Sequence, residues 1–178
     1  MREDQIVRYG RQILLREVGG KGQEKLLVSP VRVWGSSAAI DDALAWLAAG
    51  GTPIERTSDH ALSGFFAHTP LEPSALTPVL DLLPRALAST APTQVVVGAG
   101  VAYRTAAACD ACWEKVRLTL GCEPPGGPVG SLAALTAQRL ILGWSDALGI
   151  VHWRGDRFET GAVPACSHVP KSTAITST

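Results

Sequence analysis

Residues 31–57 read as strand, turn, helix and strand, and this order constrains the fold more than any other feature of the chain. Val31-Arg32-Val33-Trp34 alternates and is β-branched, which predicts a strand. Gly35-Ser36-Ser37 makes a turn. Residues 38–49 are apolar, with Asp41 and Asp42 early in the run, where carboxylates favour the positive end of a helix. Gly50-Gly51 is a helix stop, and residues 54–57 supply a second strand. Together they form a β-α-β unit.

The flanking segments extend the pattern. Residues 3–18 carry Ile6, Tyr9, Ile13, Leu14 and Val18 at roughly helical spacing, an amphipathic helix stopped by Gly19-Gly20. A short helix over 21–27 follows and is closed by Pro30. Residues 76–87 read as a helical stretch interrupted by Pro78 and Pro84. Residues 94–97 form a buried-type strand ending at Gly98-Ala99-Gly100, and 101–105 form another. Residues 131–142 are a strongly apolar helix, capped by Ser131 and stopped by Gly143. Residues 150–153 and 157–159 flank Gly155-Asp156 as a hairpin. Strands alternating with helices predict an α/β fold with a largely parallel sheet, mixed by the late hairpin.

Composition narrows the function classes. The chain has 178 residues, the size of one domain. Hydrophobic residues make up 46% and charged residues 18%, which argues against disorder. Sixteen Lys+Arg balance sixteen Asp+Glu, so no basic field exists to hold nucleic acid or an anionic membrane. The opening MREDQIVRYGRQ is unlike a secretory signal, and no apolar run reaches the ~18 residues a spanning helix needs. The expectation is a cytoplasmic protein with one domain over residues 1–170, opened by helices over 1–29, and a flexible tail over 171–178.

Three features could carry chemistry. The β-α turn is where a nucleotide phosphate would rest, on backbone N–H groups exposed by glycines. Gly35 fits that role, but Ser37 and Ile40 replace the later glycines, and Asp41 and Asp42 repel an anion. Cys109-x-x-Cys112 has the spacing of half a tetrahedral metal site, and Cys166-Ser167-His168 offers a second pair; buried thiols and a surface histidine explain the same residues. Cys122, ahead of a Pro/Gly loop, is either a nucleophile or inert. Arg8, Arg11 and Arg16 form either a solvated face or a phosphate or interface contact.

Arg8-Tyr9-Gly10-Arg11-Gln12-Ile13-Leu14-Leu15, followed by Val18-Gly19, Gly22-Gln23 and Lys25-Leu26-Leu27, resembles the opening of the ThiF/MoeB/HesA family, whose members adenylate ubiquitin-like sulfur-carrier proteins. Residues 31–35, Cys109-x-x-Cys112 and the run from Gly130 to Gly143 resemble further blocks of that family in the same order. The resemblance implies a Rossmann-like mixed, mainly parallel sheet flanked by helices, and an obligate dimer. It also implies ATP-dependent adenylation of a carrier's C-terminal glycine. It places Arg11 in the partner subunit's ATP site, Cys122 near a cysteine that forms covalent adducts, and zinc on Cys109, Cys112, Cys166 and His168. Nucleotide contacts would fall on Gly35, Ser36, Ser37 and Asp59.

This chain departs from the family where its chemistry should be. The acidic end of the second strand reads Glu55-Arg56-Thr57-Ser58-Asp59, the phosphate-gripping Arg-Gln and Lys have no counterpart in residues 60–66, and only Asp81 is left as a remnant of the magnesium-binding Asp-x-x-Asp-Asn element. Each such group contributes roughly 10²-fold or more to a reaction that builds phosphate charge. The expectation is therefore a non-adenylating pseudoenzyme that binds no ATP or magnesium. It would act as a dimeric scaffold, or as partner subunit to an active paralogue, for a small ubiquitin-like carrier. The alternative is a divergent adenylyltransferase or sulfur-transfer enzyme using Cys122.

Overall fold

The computed structural model describes residues 1–35, 37–57, 78–87, 92–104, 109–120, 128–144, 149–153 and 156–161. The chain opens with α1 (Glu3–Ile13) and α2 (Gly19–Leu27). β1 (Val31–Trp34), α3 (Ala38–Ala49) and β2 (Ile54–Thr57) follow as the sequence predicts, with β1 and β2 parallel and Val31 opposite Ile54. Then come β3 (Val79–Leu82), α4 (Pro84–Leu87), β4 (Thr93–Val97), β5 (Gly100–Arg104), α5 (Asp110–Leu120), α6 (Val129–Leu142), β6 (Ile150–Trp153) and β7 (Phe158–Gly161).

These strands form one seven-stranded sheet in the order β2-β1-β3-β4-β5-β6-β7. The fold is mixed α/β with helices flanking the sheet. The expected mainly parallel sheet is overturned: among the described strands only β1–β2 is parallel, and every other pairing is antiparallel. Connection length is the physical cause for three of the five antiparallel pairings, β3–β4, β4–β5 and β6–β7; β1–β3 and β5–β6 are joined through long segments. Parallel neighbours need a crossover of a dozen or more residues. Gly98 and Ala99 alone join β4 to β5, and residues 83–92 join β3 to β4.

Other expectations are corrected in detail. Residues 76–87 do not hold an interrupted helix. The two prolines bracket β3: Pro78 precedes the strand, and Pro84 opens α4, where a missing N–H costs nothing. The first helix stops at Ile13, so Gly19, with φ +59°, begins α2 instead of ending α1. Ser131 lies inside α6, where its hydroxyl donates to the Pro128 carbonyl at 2.8 Å. Gly143 does end α6: its φ of +85° lets the Trp144 N–H reach the Arg139 carbonyl at 2.9 Å. α5 adds a helix that the sequence reading did not place.

The sheet is covered differently on its two faces. α3 and α6 pack on the first, where Ile40, Leu47, Ala133 and Ile141 meet Val33, Leu80, Val95 and neighbours. These two helices approach closely, and a β-carbon on Gly130 would collide with the Ala39 carbonyl oxygen. On the second face Trp113, Val116 and Leu120 of α5 join Trp34, Val79, Val96 and Ala102. No helix among the described residues is long and apolar enough to cross a membrane.

Candidate functional site

At the turn after β1, Gly35 has φ +103°, a conformation that favours glycine. Its bare α-carbon faces Pro78: a β-carbon there would lie 3.1 Å from both the Pro78 Cα and Cβ. The chain's own approach to β3 thus takes the space beside this glycine. Ser37 is extended and caps α3, its Oγ accepting the Ile40 N–H at 3.3 Å. That bond satisfies one of the helix donors an anion would use. Asp41 and Asp42 are exposed on the same turn of α3, and their charge opposes phosphate. Ser36 and Asp59, the other two expected nucleotide contacts, lie outside the described residues.

Arg11 is exposed in the last turn of α1 and makes no ion pair among the described residues. Its neighbour Gln12 donates to the Ala49 carbonyl at 3.5 Å, at the far end of α3 from Ser37. Those ends are about 17 Å apart at a rise of 1.5 Å per residue. The structure therefore does not bring Arg11 to the Gly35–Ser37 turn of its own chain.

Cys109 immediately precedes α5 and Cys112 lies in its first turn, both half-buried. Three residues apart at one helix end, they share a side, as a pair of metal ligands must. Cys166, His168, Cys122 and the tail over 171–178 lie outside the described residues. Among the described residues no group of three or more His, Cys, Asp or Glu is placed to hold a metal. The two thiols can supply half of a tetrahedral set.

Asp81 stands in the middle of β3, with Arg32 opposite on β1 and Gln94 opposite on β4. It is 1% exposed, and its Oδ1 has no partner among the described residues. Burial pushes its pKa up to about 6, against the pull of the Arg32 guanidinium. The row runs on. Arg32 pairs with Glu55 at 3.3 Å, the Gln94 Oε1 accepts from the Trp113 indole at 2.8 Å, and Arg104, opposite Gln94, pairs with Asp110 at 2.5 Å. A lone carboxylate beside an arginine and an amide is a poor magnesium ligand set.

A feature the sequence reading missed lies elsewhere. α1, α2, α3 and α6 surround an apolar concavity of about 640 Å³, with Trp144 and Phe158 also in its lining. Leu15, Trp46, Leu132, Leu135 and Leu142 line it. Gln12 and Gln138 reach across it to the last carbonyls of α3, Ala49 and Trp46. Among the described residues of its lining Arg139 carries the formal charge, with its guanidinium 6.0 Å from the Trp144 ring centre. The readable signal was an excess of apolar residues: α6 is apolar on more than one side, so a second face needs covering.

No protein-family model and no curated protein matches this chain.

Proposed function

We propose that this chain is a non-adenylating relative of the ThiF/MoeB/HesA proteins, a cytoplasmic scaffold or partner subunit that pairs with a second copy or with an active paralogue serving a small ubiquitin-like carrier. The packing of Pro78 against Gly35 carries the reading. The glycine that would let a phosphate approach accommodates the chain itself, and Asp41 and Asp42 add repulsion beside it. The β1-α3-β2 unit supports a Rossmann-like origin for that half of the sheet. Pairing is supported by Ile6, Val7 and Leu14 of the opening segment, which stay exposed although the segment is amphipathic. Arg11, remote from its own β-α turn, suits a role in the partner subunit.

ATP–pyrophosphate exchange tests the proposal. The purified chain with ATP, magnesium and labelled pyrophosphate is expected to show no exchange above background; robust exchange by the chain alone refutes it. Zinc on Cys109, Cys112, Cys166 and His168 belongs to the same reading. Elemental analysis of untagged protein is then expected to find about one zinc per chain, the stoichiometry of a single four-ligand site, and finding none removes the metal.

A further inference from the structure

We propose that Cys109 and Cys112 are a redox couple, a dithiol that closes into a disulfide by exchange with a small disulfide of the oxidised-glutathione class and is reopened by small thiols. The inference goes beyond the scaffold reading. It shares two residues with the zinc reading without resting on it, since the same sulfurs cannot hold a metal and a disulfide at once.

Three observations carry it. The first is spacing. Cys109 immediately precedes α5 and Cys112 lies in its first turn. The Cys109 carbonyl accepts the Trp113 N–H at 3.0 Å, so Cys109 stands where the helical path begins. Cα atoms three residues apart on that path lie about 5 Å apart, inside the roughly 4.4–6.8 Å that a disulfide spans. Side chains on a helix tilt towards its N-terminus, which leans Cys112 towards Cys109. The second is access. Both thiols are half-buried, within reach of a small reagent, whereas Trp113 and Val116 of the same helix are buried. The third is fixation. Asp110, between the cysteines, pairs with Arg104 of β5, and the indole of Trp113, next to Cys112, donates to Gln94 of β4 at 2.8 Å. The turn that carries the thiols is tied to two neighbouring strands. The second sulfur therefore stays close once the first has reacted, at a high effective concentration.

The exchange balances. The sulfur of Cys109, the outer of the two, attacks one sulfur of the small disulfide; its proton goes to solvent and a first small thiolate leaves. The Cys112 sulfur then attacks the Cys109 sulfur of the mixed disulfide, loses its own proton and displaces the second small thiolate. The protein gives up two hydrogens and two electrons, and the small disulfide ends as two thiols when those protons are taken up.

Trypsin reads the outcome directly, because cleavage after Arg104 and Lys115 puts both cysteines on one peptide, residues 105–115. The reduced whole chain is equilibrated in glutathione buffers, quenched in acid, alkylated and digested. Peptide 105–115 is expected to become lighter by two hydrogen atoms and refractory to alkylation, and dithiothreitol is expected to reverse both changes. Cys112→Ser is expected to hold a glutathione on Cys109 that it cannot shed. In about 1 mM reduced glutathione, closure of the natural pair is expected at a ratio of oxidised to reduced glutathione at least about tenfold lower than the ratio that glutathionylates the Cys112→Ser chain. Equal ratios overturn the proposal, because the two thiols then react singly. So does a disulfide that joins peptide 105–115 to Cys122 or Cys166. If elemental analysis finds zinc and the peptide stays reduced at every ratio, the metal reading stands and the redox couple fails. If the disulfide forms in a chain that holds no zinc, the redox couple stands and the metal reading fails.

Discussion

The two faces of the sheet are built on different principles. The face under α3 and α6 is aliphatic and small-residue packing, close enough that glycine is required where the helices cross. The face under α5 mixes tryptophans with a polar row that runs Glu55, Arg32, Asp81, Gln94 and Arg104 across five strands. The first face is stabilised by area removed from water, roughly 25 cal/mol per Å² of apolar surface. The second spends part of that gain on desolvating a carboxylate, in return for cross-strand pairing of unlike groups. Stability is therefore concentrated on the first face, and sensitivity to pH on the second.

The largest effect should come from breaking the helix crossing. Gly130→Val drives a branched side chain into the Ala39 carbonyl and the Asp42 Cβ, so a loss of about 3 kcal/mol or more is expected in denaturant titration. A loss below about 1 kcal/mol would show that α3 and α6 have room to part.

Next is the buried carboxylate. Because the folded pKa of Asp81 is raised above that of the unfolded chain, the folded state binds its proton more tightly. Its contribution is most favourable below about pH 4 and is lost as pH rises towards 6. Asp81→Asn should leave stability unchanged at low pH, raise it by about 1 to 3 kcal/mol at pH 7.5, and flatten the profile between. Asparagine that destabilises equally at every pH would mean the charge is needed to hold Arg32.

The smallest effect separates the interior of the row from its end. Trp113→Phe removes the indole bond to Gln94 and leaves a small cavity in place of the pyrrole ring, at an expected cost of about 2 kcal/mol. Glu55→Gln, at the exposed strand edge, should change stability by no more than about 0.5 kcal/mol. Equal costs for the two would mean that burial does not distinguish the interior of the row from its edge.

The chemistry-bearing residues named from sequence do not converge on one another among the described residues. Gly35 and Ser37 serve their own turn and helix cap, Arg11 lies at the opposite end of α3, and Cys109 and Cys112 begin a helix on the other face. Spacing along a chain shows which residues share a helix turn, but not which turns meet. The apolar concavity was invisible for the same reason: its lining comes from four helices and a strand, and no window contains more than a part of it.

Local pattern alone determined the β1-α3-β2 unit and the body of α6, because periodicity and glycine stops act within a few residues. It misread β3, whose four residues are buried on both faces and so show no alternation, and whose flanking prolines suggested a broken helix. Strand direction was left to the tertiary structure. A buried parallel strand and a buried antiparallel one are both plain apolar runs; the short returns after β3, β4 and β6 force three of the antiparallel pairings, and packing across longer connections decides β1–β3 and β5–β6.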